Sequence, residues 1–101
     1  MEFTILDYHI LNLLAENSMA TEHIIKSRLH QNINNRKHLL VRLEMLSQQG
    51  LIKTSGGVTY SLSSLGMVIM GKKPAEPQHL EIIKARGFPL KRTLSYIERL
   101  C

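Results

Sequence analysis

Between Asn35 and Arg42 the chain reads Asn-Arg-Lys-His-Leu-Leu-Val-Arg, which gathers an amide, an imidazole and three permanent cations into a short stretch. Guanidinium, ammonium and amide groups are donors in fixed or adjustable geometry, and their chemistry is the binding of anionic oxygens and polar acceptors. Leu39, Leu43 and Leu46, with Leu40 beside them, recur at three- and four-residue spacing, so they share one helical stripe that must face a core. The other side carries Lys37, His38, Val41 and Met45, flanked by Arg36 and Arg42. This is chemistry of recognition. A reacting centre finds no support, because the chain has no nucleophile motif, no phosphate-cradling glycine loop and no acid pair on one element, and a non-enzymatic protein is expected.

The charge distribution points the same way. The segment before Lys26 has four acids and no Lys or Arg, the segment from Lys26 to Lys53 is net +5, and the segment from Lys72 onward is net +4. A basic block on the donor-rich helix, beside an acidic block that is not, argues for a polyanionic partner on one face. The competing reading is a merely solvated surface, since positive charge alone carries no sequence information.

The elements that must position this helix can be read on either side of it. Gly50 is suited to end it in a left-handed cap. Leu51-Ile52-Lys53-Thr54 and Val58-Thr59-Tyr60-Ser61-Leu62 then form two strands joined by Ser55-Gly56-Gly57, a connection of the kind that closes a β-hairpin. Upstream, a first helix is expected from about Leu6 to Glu16, with Thr4 or Asp7 to cap it and Asn17-Ser18 to stop it. Its apolar residues exceed one face, so part of it is expected to meet a second subunit. Thr21 should cap a second helix with Ile24, Ile25 and Leu29 buried and Lys26, Ser27, Arg28 and His30 exposed. Gln31-Asn32 makes the turn, and Asn34 or Asn35 caps the third helix. Ser63 should cap a further helix, Ser64 to Met70, and Met45, Met67 and Met70 are expected in the core.

The string Leu43-Glu44, Leu46, Gly50-Leu51-Ile52, a glycine-containing hairpin and Tyr60-Ser61-Leu62-Ser63-Ser64-Leu65-Gly66 resembles the pattern of winged helix-turn-helix DNA-binding domains such as MarR-like and PadR-like bacterial regulators. With three helices before the wing, the resemblance covers about two thirds of the chain. It implies a mainly α protein with a small β-hairpin wing (α+β), a three-helix core plus wing, extra C-terminal helices, and a short added strand at Met19-Ala20. It also implies a sequence-preferring, double-stranded DNA-binding regulator of transcription, bacterial or from a phage or plasmid, that acts as a dimer. The recognition helix, about 35–49, would enter the major groove and the wing, 53–59, would lie on flanking backbone. Arg and Lys suit guanine acceptors, Asn suits adenine, and the methyls of Val41 suit a thymine methyl. Asn35, Arg36, Lys37, His38 and Arg42 are the expected groove residues, and Thr21, Lys26 and Arg28 the expected phosphate contacts. Lys53, Thr54 and Ser55 of the wing would reach phosphate or the minor groove. Plainer roles stand beside these: Asn34 and Asn35 as caps, Arg42 as the partner of an acid, His38 as a surface residue.

The chain divides into 1–71 as the helix-turn-helix domain, 72–77 as a Pro- and Gly-containing linker and 78–101 as a C-terminal helical extension. In the extension, His79 to Arg86 and Leu90 to Leu100 read as amphipathic helices around Gly87-Phe88-Pro89. They fold back on the first helix or pair with a second subunit, the homodimer being built from helix one and this tail. No apolar run is long enough to span a bilayer and the N-terminal stretch is acidic, so a cytoplasmic location is expected. No cofactor or small-molecule ligand is indicated. His23 and His30 share a helix face, but no Cys or paired carboxylate accompanies them at metal-ligand spacing, so no metal is expected; Cys101 reads as incidental. The rival from another class is an interaction module that keeps the scaffold and binds protein, as an adaptor or anti-repressor. RNA or single strands suit the helix less, because it carries no aromatic residue for stacking.

Overall fold

The computed structural model describes residues 3–29 and 36–88, with the side chains of Arg36 and Lys37 outside that description. The described residues form an α+β fold of five helices and one three-stranded antiparallel sheet. The elements run α1 (Ile5–Glu16), β1 (Ala20–Thr21), α2 (Glu22–Arg28), α3 (Arg36–Gln48), β2 (Ile52–Ser55), β3 (Thr59–Leu62), α4 (Ser64–Ile69) and α5 (Pro77–Arg86).

Thr4 and Asp7 open α1 together. The Thr4 hydroxyl oxygen accepts from the Asp7 amide at 3.1 Å and the Asp7 carboxylate accepts from the Thr4 amide at 2.9 Å, a reciprocal capping box. The other end closes at Asn17, whose backbone and side-chain N–H groups both donate to the Leu13 carbonyl. Leu6, Tyr8, Ile10, Leu11, Leu13 and Leu14 are all buried within the chain. The apolar surplus that suggested a subunit contact on this helix is therefore used internally: α1 is the central helix of the core, packed against α3 and β3.

Thr21 is both the last residue of β1 and the cap of α2, its Oγ1 accepting from the Ile24 amide at 3.2 Å. Ile25 and Leu29 are buried as expected, but Ile24 is exposed. In a helix of 7 residues only one narrow stripe can face inward, and Ile25 occupies it.

Leu39, Leu43 and Leu46 of α3 are fully buried and Leu40 is half-buried, as the spacing requires. Gly50 takes φ 79°, which stops the helix and turns the chain into β2. Ser55 extends β2 one residue beyond the expected strand and pairs with Thr59, leaving Gly56, Gly57 and Val58 as the connection. Gly56 and Gly57, at φ 61° and 69°, have the sign pattern of a type I′ turn, and the Val58 amide donates to the Ser55 carbonyl across it. The sheet order is β1-β3-β2, with Ala20 opposite Tyr60 and Ile52 opposite Leu62. Ala20 rather than Met19 begins the added strand, and Met19 is exposed.

Ser63 fixes the way out of the sheet. Its hydroxyl donates to the Gly50 carbonyl and accepts from the Gly66 amide, and its own amide donates to the Leu51 carbonyl at 3.0 Å. Gly66 of α4 lies so close over Leu51 that a Cβ there would come within 2.1 Å of the Leu51 carbonyl oxygen. Leu65, Val68, Ile69 and Met70 return to the core; Met67 is exposed and Met45 half-buried, so only Met70 of the three methionines lies fully in the core.

The expected linker ends earlier than its composition implied. Pro77 is the first residue of α5, a position where its missing N–H costs nothing. The helix closes at Gly87, with φ 68°, and delivers Phe88 into the core, edge-on to Phe3 with ring centroids 6.0 Å apart. Arg86 reaches back to the Gln49 carbonyl at 3.0 Å. Of the two alternatives for the tail, the part through Phe88 folds back on the start of α1 and the end of α3. The second expected tail helix, Leu90 to Leu100, and Cys101 lie outside the described residues. Among the described residues no helix is long and apolar enough to cross a membrane.

Candidate functional site

The donor-rich helix is held by its leucine stripe, and what remains of its circumference decides what it can present. Val41, Glu44 and Gln48, at three- and four-residue spacing, are exposed, as is His38. Gln48 Nε2 donates to Glu44 Oε1 at 3.4 Å along the helix. Neither Glu44 nor Gln48 was singled out from the sequence, although stepping from Val41 by three and then four residues finds both.

Arg42 belongs to a different set. Its Nε donates to Asp7 Oδ1 at 2.7 Å and its Nη2 to Asp7 Oδ2 at 2.5 Å, a bidentate ion pair whose side chains are 11% and 0% exposed. Its Nη1 lies 3.2 Å from Met45 Sδ. The groove role expected of Arg42 is therefore corrected, and its plainer role as the partner of an acid is the one observed. Asp7 sits in the acidic N-terminal block, which thus supplies the counter-charge for one cation of the basic block.

The remaining groove residues are only partly visible. Asn35 lies outside the described residues, with Asn34 and the Gln31-Asn32 turn, so its capping role does too. Arg36 and Lys37 begin α3 as backbone positions.

Of the expected phosphate contacts, Lys26 and Arg28 on α2 are exposed, and Thr21 is half-buried with its oxygen engaged as a cap. Thr21, Glu22, His23 and Lys26 line an open cleft of about 430 Å³ whose far wall is Gly57 and Val58 at the hairpin tip. The fold thus brings two of these residues beside the hairpin.

Lys53, Thr54 and Ser55 are all exposed, with their side chains alternating between the two faces of the hairpin. Side chains alternate along a strand, so Thr54 shares the face of Ile52, Tyr60 and Leu62, while Lys53 and Ser55 share the opposite face with Thr59 and Ser61. Thr54 and Tyr60 line a cleft with Leu40, Leu43, Glu44, Ser47 and Gln48 of α3, about 530 Å³ in volume. Lys53, Thr54 and Ser55 together border a second depression with Ser18, Met19, Ser61 and Met67, so Thr54 lines both hollows.

Among the described residues no three His, Cys, Asp or Glu side chains gather as a metal ion requires. His79 is buried and accepts at Nδ1 from the Glu76 amide, so it helps to cap α5. In comparisons with known proteins the chain matches no family model, no curated protein and no solved structure.

Proposed function

We propose that this chain is a non-enzymatic, sequence-preferring protein of the winged helix type that binds double-stranded DNA and regulates transcription, with α3 in the major groove and the β2–β3 hairpin on flanking backbone. One observation carries the reading. His38 and Val41 are exposed on a helix whose Leu39, Leu43 and Leu46 are buried, while Arg86 of α5 reaches the Gln49 carbonyl and Phe88 beyond it packs on Phe3. The element order α1-β1-α2-α3-β2-β3, the exposed cations Lys26 and Arg28, and the cleft joining α2 to the hairpin tip support it. A dimer on this reading draws on the tail, where Leu80 and Ile82 of α5 are exposed.

The test is binding of random duplex as a function of salt. Affinity should fall linearly on logarithmic axes with a slope of roughly −0.9 per phosphate contacted, and Arg36→Ala with Lys37→Ala should make the slope shallower by about two such contacts. A second reading has its own support: Ile24, Val41 and Val58 are exposed apolar side chains, which suit a protein partner. Indifference of binding to salt and to the double substitution transfers the assignment to that adaptor role.

A further inference from the structure

Glu44 is the single acid between Lys26 and Lys53, and it stands on the exposed stripe of α3 between Val41 and Gln48. Its neighbour is an amide, since Gln48 Nε2 donates to Oε1. Among the described residues its carboxylate joins no ion pair, in contrast to Asp7, the other acid that touches this helix. A lone carboxylate on a face that meets DNA is repelled by every phosphate, so it weakens non-specific binding. One class of group on the duplex reverses that repulsion: an exocyclic amine in the major groove, a donor that a carboxylate accepts from directly. Cytosine N4 is the donor that Glu pairs with best, because the adenine edge sets an acceptor, N7, beside its amine and the cytosine edge does not.

We infer, resting on the DNA-binding reading above, that Glu44 is the specificity-determining residue of this protein and selects a C·G pair at one position of each half-site. Gln48 is a positioning residue. Its amide donates to Oε1, and the second carboxylate oxygen is the one assigned to the base amine. Val41, one turn earlier on the same stripe, meets the neighbouring base pair and favours a thymine methyl there.

The experiment is selection of bound duplexes from a random pool with the wild-type chain, Glu44→Ala and Glu44→Gln, together with their affinities for non-specific duplex at fixed salt. The wild type should enrich sites with an invariant cytosine. Glu44→Ala should lose that cytosine, bind non-specific duplex a few-fold more tightly, and show a specific-to-non-specific ratio about tenfold lower or less. Glu44→Gln should move the preference at that position toward adenine, the base an amide reads with two bonds. Glu44 is exposed, so unchanged melting temperatures are expected and exclude a folding artefact. Enriched sequences that are the same for all three chains overturn the inference and leave the DNA-binding reading standing. Absence of any duplex binding by the wild type overturns both.

Discussion

Asp7 and Arg42, 35 residues apart in sequence, are joined by two parallel hydrogen bonds of 2.7 and 2.5 Å. The same carboxylate caps α1 through the Thr4 amide, so one buried group closes the first helix and fixes the third against it. Removing one member of such a pair leaves the other charge without a partner in a dry site, which costs about 3–5 kcal/mol. Asp7→Ala should therefore lower the melting temperature by well over 10 °C, at roughly 4–8 °C per kcal/mol in a domain of this size. Replacing both, as Asp7→Leu with Arg42→Met, should recover most of the loss, because an apolar pair avoids the desolvation penalty. Equal melting temperatures for the single and double variants would show that the ion pair is not what the core depends on.

On the DNA-binding proposal, Arg42 separates cations that hold the fold from cations that meet phosphate. Arg42→Ala should destabilise the fold while leaving the salt slope of DNA affinity unchanged, when measured well below its melting temperature. Lys26→Ala, on an exposed side chain, should do the reverse: stability within about 0.5 kcal/mol of wild type and a slope shallower by roughly one contact. A shallower slope for Arg42→Ala would mean that this guanidinium leaves Asp7 to reach the duplex.

Gly66 packs its Cα against the Leu51 carbonyl, where an added methyl would arrive at 2.1 Å from the oxygen. The obstacle is the Leu51 backbone, with a Leu62 methyl beside it, so Gly66→Ala should cost about 3 kcal/mol, at the upper end of overpacking effects. Urea unfolding measures this as a lower midpoint with an unchanged m-value. Wild-type stability for that variant would mean α4 can lift from β2 at no cost.

Phe88 closes the core from the far end of the chain. Phe88→Ala should destabilise by about 3–5 kcal/mol, as loss of a buried aromatic side chain does. A chain ending at Gly71, where composition alone sets the domain boundary, should melt at a similarly lowered temperature, since Phe3 then loses its aromatic partner. Retention of full stability by the shortened chain would restore the boundary read from the sequence.

Local rules made most of the elements legible. Leucine spacing gave the buried side of α3, the Thr4, Thr21 and Ser63 caps gave three helix starts, and the glycines gave the turn and helix ends, because each is decided within a few residues. What the sequence withheld depends on neighbours distant along the chain. Ile24 looked as buried as Ile25 until the packing of so short a helix chose between them. The apolar excess of α1 looked like a subunit contact because its covering layers, α3, β3 and Phe88, are spread over the rest of the chain. Arg42 looked like a ligand for the partner because nothing local reveals that Asp7 lies opposite. The alternation of Lys53 and Ser55 with Thr54 is legible in the sequence, since strand periodicity alone predicts it.

The knot of Gly50, Leu51, Ser63 and Gly66 gives the hairpin a rigid root, while its far end, from Gly56 to Val58, is secured by a single amide-to-carbonyl bond across the turn. The root is thereby fixed by side-chain and backbone hydrogen bonds together, and the turn by backbone alone. On the DNA-binding proposal, the position of the hairpin beside α3 is therefore set at that root, whatever surface its tip meets.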